Sequence, residues 1–323
     1  MILRCALTAA AALWTVFAAA GESESTAALL HLLNARGSGS PRRYAEAMAV
    51  VAQDAARGGV VQRFLQAVLS DAADTPRFAR LPEDTRRSYL ESARPRILEM
   101  AEKRRNPLAW YLLALQSNDE QALRRAAELG NVQALNSLGL RLLESRPRDA
   151  FECFCRAADV RDANGLYNLG VCLLNGIGCK RDEVAAFERF KYAADQDQPE
   201  AMNNLGIFFR EGVVVPKDAV EATKFFRRSA ESGCITGQLN FSIALLRGEG
   251  IAANEPLAVR MLMAIAKRGN AEAMDALAHC CEKGLGGMPC DVNEALRWTF
   301  RAKAARGDRH AAEWLQATGE DKR

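Results

Sequence analysis

The sequence predicts an all-α protein, an α-solenoid of antiparallel helix pairs behind a helical N-terminal cap. Three observations carry that expectation. Columns of residues recur at a fixed spacing of 36, seen in Gly176, Gly212, Gly248 and Gly284, in Asp182, Asp218 and Asn254, in Ala186, Ala222 and Ala258, and in Ala194, Ala230 and Ala266. Within each period the apolar residues fall at helical intervals in two runs. Only short loops, each opened by a glycine, separate those runs. Self-similarity of this kind marks a supersecondary unit copied along the chain, each copy burying its apolar face against its neighbours. A single compact core would be unusual for 323 residues, whereas a stack of units has no such limit.

One unit shows how each element arises. Ala201, Met202, Leu205, Ile207 and Phe208 give a first helix that ends at Gly212, because only glycine enters the left-handed C-terminal position cheaply. A loop over 213–217 carries Pro216, and Asp218 is placed to cap the next helix with its carboxylate. The second helix runs over 219–232 with Ala222, Phe225, Phe226 and Ala230 inward, and stops at Gly233. Loops this short make the two helices antiparallel. The units at 164–197, 236–269 and 272–307 read the same way, the last lengthened by one or two residues around its glycine-rich loop. A shortened copy occupies 132–162. The column Gly139, Gly170, Gly206, Ser242 and Ala278 is always small, which lets helix backbones come close together.

The domain reading is therefore a repeat array over 106–307 followed by a capping helix and tail over 308–323, with 310–315 as that helix. Upstream, 21–105 holds helical segments at 26–35, 44–57, 60–73 and 85–104, the last interrupted at Pro95. This region reads as a cap of diverged pairs or as a separate interaction module.

The run Ala201-Met202-Asn203-Asn204-Leu205-Gly206, followed by Gly212, Asp218, Ala222, Ala230 and Gly233, resembles the Sel-one-like repeat, a relative of the tetratricopeptide repeat (TPR). The resemblance is strong over 163–307 and weaker over 106–162. It implies a right-handed α-solenoid whose first helices line a concave face, and an adaptor that binds a protein or peptide there. The cysteine spacing is also similar to that of a secreted, cysteine-rich bacterial branch of the family, some of whose members are described as binding or hydrolysing β-lactams. That branch pairs cysteines within every repeat, and the repeats at Ala201 and Gly237 lack such a pair.

Residues 1–20 read as a cleaved signal peptide: Arg4, an apolar run over 5–17, then Ala18, Ala19 and Ala20 before Gly21. An uncleaved anchor or a cytosolic helix are the alternatives; no other stretch is apolar enough to span a bilayer, so the mature chain is expected to have no stable membrane span. Removing Cys5 leaves eight cysteines out of nine, an even set that would tend to pair in a secreted or periplasmic, or secretory-lumen, location. Cys172 with Cys179, and Cys290 with either Cys280 or Cys281, would each clip a helix end to its loop. Each such clip is worth about 2–3 kcal/mol in the chain-entropy model. Free thiols in a cytosolic protein are the alternative.

Composition narrows the function further. The formal net charge is +3 with both signs interspersed, so the basic stripe of a nucleic-acid binder is missing. His279, Cys280, Cys281 and Cys290 could supply zinc ligands on paper, but adjacent helical residues point about 100° apart and cannot converge. Only three histidines occur, His31, His279 and His310, and no G-x-S-x-G elbow accompanies them. No cofactor and no catalytic constellation is expected. The column Asn168, Asn204 and Asn240 reads either as a ladder that hydrogen-bonds an extended peptide or as an ordinary polar position between helices. If a peptide groove exists, these three with Asn203, Arg210 and Asp275 are its predicted contacts.

Overall fold

The computed structural model describes residues 81–103 and 105–319. The expected signal segment 1–20 and the helices at 26–35, 44–57 and 60–73 lie outside the described residues. Within them the chain forms fourteen α-helices and no strand, divided into two compact units that meet at 182/183.

The first unit holds α1 (Glu83–Glu102), α2 (Pro107–Ser117), α3 (Glu120–Glu128), α4 (Val132–Leu142), α5 (Pro147–Asp159) and α6 (Ala163–Asn175). The sequence suggested a break at Pro95, yet α1 runs through it as one helix of 20 residues. Proline removes one backbone hydrogen bond and crowds the preceding turn; here Ala93, Ile97, Met100 and Ala101 bury a continuous face across that point, and the helix persists. The core of this unit runs from Ile97 through Leu112, Leu123, Leu135 and Phe154 to Cys172.

The second unit holds α7 (Glu183–Ala194), α8 (Pro199–Glu211), α9 (Ala219–Glu231), α10 (Ile235–Arg247), α11 (Glu255–Ala266), α12 (Ala271–Lys283), α13 (Val292–Ala305) and α14 (Arg309–Thr318). Successive helices pack pairwise along it, as the repeat columns predict. Phe226 is buried as expected, but Phe225 is only half-buried and stacks on Phe209 with ring centroids 5.6 Å apart.

The recurrent columns are explained by backbone requirements. Gly176, Gly212, Gly248 and Gly284 close their helices at φ of 70°, 74°, 68° and 67°. The acidic or amide residue that ends each loop serves two helices at once. Its backbone N–H returns to a free carbonyl of the first helix, as in Asp218 to Phe209 at 2.8 Å and Asn254 to Leu245 at 2.9 Å. Its side chain caps the second helix: Asp218 accepts from the amides of Val220 and Glu221, both at 2.9 Å.

A second capping column escaped the sequence reading. Asn131, Asp162, Gln198, Asn270 and Asp308 open the first helices, each accepting the amide three residues on at 2.6 to 3.1 Å. Cys234 occupies the same register and makes no side-chain cap; its Sγ lies 3.0 Å from Thr236 Oγ1 instead. Asparagine already fits the equivalent buried place at Asn131. Cys234→Asn is therefore expected to raise stability by about 1 kcal/mol, read as a higher urea midpoint with an unchanged slope.

Asp162 is the costly member of this column. Burial pushes its carboxyl above the usual carboxylate range, against the lowering effect of the Gly165 amide, the Asn136 side chain and the Asn164 amide. Asn136 Nδ2 donates to it at 2.7 Å, while Asn136 Oδ1 is buried without a partner. A carboxyl that holds its proton more tightly when folded makes stability fall as pH rises from its unfolded pKa through its folded one. Asp162→Asn keeps the cap and removes that charge. The variant is expected to be the more stable at pH 7, with the gap closing as pH drops below about 4, in urea titrations at a series of pH values.

Candidate functional site

In the second unit the first helices of successive repeats touch directly, α8 on α10 and α10 on α12, and no comparable packing joins α9 to α11 or α11 to α13. Helices that sit closer together lie on the inner side of a bend. The face formed by α8, α10 and α12 is thus the inner face of this unit.

Several predicted contact residues meet there, mainly with one another. Asn240 Nδ2 donates to Asn203 Oδ1 at 2.8 Å, and Arg210 Nη1 donates to Asn240 Oδ1 at 3.2 Å. Asn203 is only 6% exposed, because its amide works between helices. Arg210 is fixed further by its Nε to Glu211 at 2.9 Å and by the Phe226 ring, 5.5 Å from its guanidinium carbon. This network ties α8 to α10. The 36-residue column suggested Asn204 opposite Asn240, but the hydrogen bond joins Asn203 to Asn240, one residue out of that register. Asn204 remains half-buried at the surface of α8. Asn168 is half-buried on α6 of the first unit. Asp275 stands apart from the network, exposed on α12 and paired with Arg306 at 2.5 Å.

Cys172, Cys280 and Cys281 stand near helix ends and Cys179 and Cys290 in loops, and all eight cysteines among the described residues are free thiols. Cys172 is fully buried, and Cys179 Sγ lies 3.6 Å from its carbonyl oxygen. Cys280 and Cys281 are fully buried, whereas Cys290 is exposed with Sγ 3.4 Å from the Glu282 carbonyl. Neither expected pair is closed. Burial pushes the Cys172 and Cys280 thiols each up to about 11, which keeps them protonated at neutral pH. His279 faces out toward Glu282 at 3.8 Å while Cys280 faces in. Among the described residues no cluster of three or more His, Cys, Asp or Glu is arranged to hold a metal, and no helix is long and apolar enough to cross a membrane.

Helix pairs in register, glycine-closed and capped by acidic or amide residues, define an all-α repeat protein of the TPR-like class. The family model described as Sel1 repeat matches residues 163–198, 199–234 and 271–306, so three of the helix pairs are similar to Sel1 repeats. The solved structure of a Sel1 repeat protein from Oxalobacter formigenes is 27% identical, with a TM-score of 0.56, over 65% of this chain and 86% of that one. A protective antigen present in uropathogenic Escherichia coli strains, displaying an SLR fold, shares the fold at 23% identity and TM-score 0.56, over 83% of this chain and 58% of its own length. No curated protein matches the chain.

The family model passes over 235–270, yet α10 and α11 there form the same helix pair, with Gly248 at φ 68°. The differences compensate one another. A Cβ on Gly237 would lie 2.2 Å from Ser229 Oγ, and that hydroxyl donates to the Pro199 carbonyl at 2.7 Å. One period earlier, the same two places are Ala193 and Ala201, both fully buried. At this seam the larger Ser229 faces the smaller Gly237.

Proposed function

We propose that the protein is an exported, non-enzymatic scaffold that holds a protein or peptide on the first-helix face of its repeats. The observation that carries this reading is the face of α8, α10 and α12, where the first helices of successive repeats pack directly on one another. Sel1 repeat proteins in general serve as interaction scaffolds, and the matched repeats bring that expectation here. Capture of a defined partner by the tagged chain from its native compartment is the expected result. Recovery of no partner, together with reproducible turnover of a small molecule, would overturn it.

Export rests on the signal-like residues 1–20 and the even cysteine set. Intact mass spectrometry is expected to show a chain starting at Gly21, with Cys172 joined to Cys179 and Cys290 to Cys280 or Cys281. A chain beginning at Met1 with every thiol free would place it in the cytosol instead.

A further inference from the structure

Between the repeats at 199–234 and 235–270, the ends of α8 and α10 and their loops enclose an open cleft whose floor is Ile243 and Ala219. Three cations reach it, Arg210, Lys217 and Arg247, with Glu211 and Glu249 beside them. Both carboxylates are already engaged, Glu211 by Arg210 at 2.9 Å and Glu249 by Arg247 at 3.4 Å. Lys217 pairs with no carboxylate among the described residues. Arg210 is held by Glu211, Asn240 and Phe226, so little side-chain freedom is left to lose when a ligand arrives.

The repeats supply an internal comparison. One period earlier, the places of Arg210, Lys217 and Arg247 are taken by Leu174, Arg181 and Glu211; one period later, by Leu246, Ala253 and Lys283. The three cations coincide at this junction alone of the three. Ile243 has Ile207 as its counterpart one period earlier, so the apolar floor belongs to the ordinary unit and the charge is the local departure.

We propose that this cleft docks an acidic peptide segment of the scaffold's partner, an apolar side chain resting on Ile243 and flanking carboxylates meeting Lys217, Arg247 and Arg210. The proposal rests on the scaffold reading above and specifies its ligand class. Glu211 and Glu249 favour a peptide over a nucleic acid: a continuous phosphate chain would run past both carboxylates, whereas a peptide can set its acidic residues apart.

The test uses the full chain and a fluorescein-labelled peptide of about ten residues, Asp and Glu around a central Leu, followed by anisotropy at low and raised salt. The Asn/Gln counterpart and a single-stranded oligonucleotide of similar length are measured alongside. The acidic peptide is expected to bind at least about tenfold tighter than its amide counterpart, and to weaken with salt. Lys217→Glu with Arg247→Glu, two exposed residues whose change leaves the thermal melt in place, should weaken it by about tenfold or more. Arg309→Glu, far away on α14, should leave it unchanged. Equal binding of the amide peptide, equal or tighter binding of the oligonucleotide, or an equal loss in Arg309→Glu would each overturn the proposal. A native partner still captured by the double variant would overturn this cleft and leave the scaffold reading standing. Failure to capture any partner, with acidic-peptide binding intact, would do the reverse.

Discussion

Gly250→Ala is expected to destabilise the second unit by about 3 kcal/mol, the sum of a left-handed penalty of about 1–2 kcal/mol and an overpacking cost of about 1–3 kcal/mol. Gly250 sits at φ 68°, and a Cβ there would stand 1.9 Å from the backbone carbonyl oxygen of Ala219. A carbonyl at the start of α9 has no flexible end to swing aside. The same place 36 residues on is Gly286, where a Cβ would lie 2.6 Å from the Glu255 carbonyl oxygen. Gly178 in the first unit is alike, its Cβ falling 2.0 Å from the Pro147 oxygen. The column is broken once, by Val214 at φ 66° and 42% exposed. A β-branched residue in that conformation is a true outlier. Val214→Gly should therefore act in the opposite direction. Relief of about 1–2 kcal/mol, offset by about 0.4–1 kcal/mol of added unfolded-state freedom, leaves a modest gain. Urea titrations of both variants settle the point: equal midpoints for wild type and Gly250→Ala would refute the close approach.

Gly237→Ala alone is expected to cost about 1–3 kcal/mol, because its new methyl meets Ser229. Adding Ser229→Ala should recover only part of that loss, because the 2.2 Å contact with Oγ goes while the β-carbon of residue 229 stays 2.6 Å away, and Ser229→Ala alone removes a buried hydrogen bond worth about 1 kcal/mol. The double variant recreates the pair Ala193 and Ala201 found one repeat earlier. The thermodynamic cycle is expected to show a coupling of about 1–3 kcal/mol. Strict additivity of the two single changes would mean that the two residues do not share one space.

What could be read from the sequence follows from which demands are local. Gly212 and Asp218 were legible because a helix end and a helix start make the same backbone demand in every copy. The inner-face network was only partly legible. Asn203, Arg210 and Asn240 were singled out, but the periodicity aligned Asn240 with Asn204, and no periodicity reports the sideways offset at which two first helices meet. The capping column of Asp162, Gln198 and Asn270 was missed for a different reason. Four residue types fill one register there, Cys234 among them, so identity conceals a shared task. The cleft at Lys217 was invisible because it depends on a loop and a neighbouring helix brought together by stacking. Pro95 shows the converse error, a strong local rule overridden by a buried face on either side of it.

The pairs at successive seams are Ala157 with Gly165, Ala193 with Ala201, Ser229 with Gly237 and Ile265 with Ala273, so their sizes differ from joint to joint. Excising 199–234 would set Ala193 against Gly237, a pairing that Ala157 and Gly165 already make; excising 235–270 would set Ser229 against Ala273, where the larger Ile265 now stands. Each new joint would fall within the range of side-chain sizes that the existing joints hold, so residue size at these places does not fix the order of the cassettes.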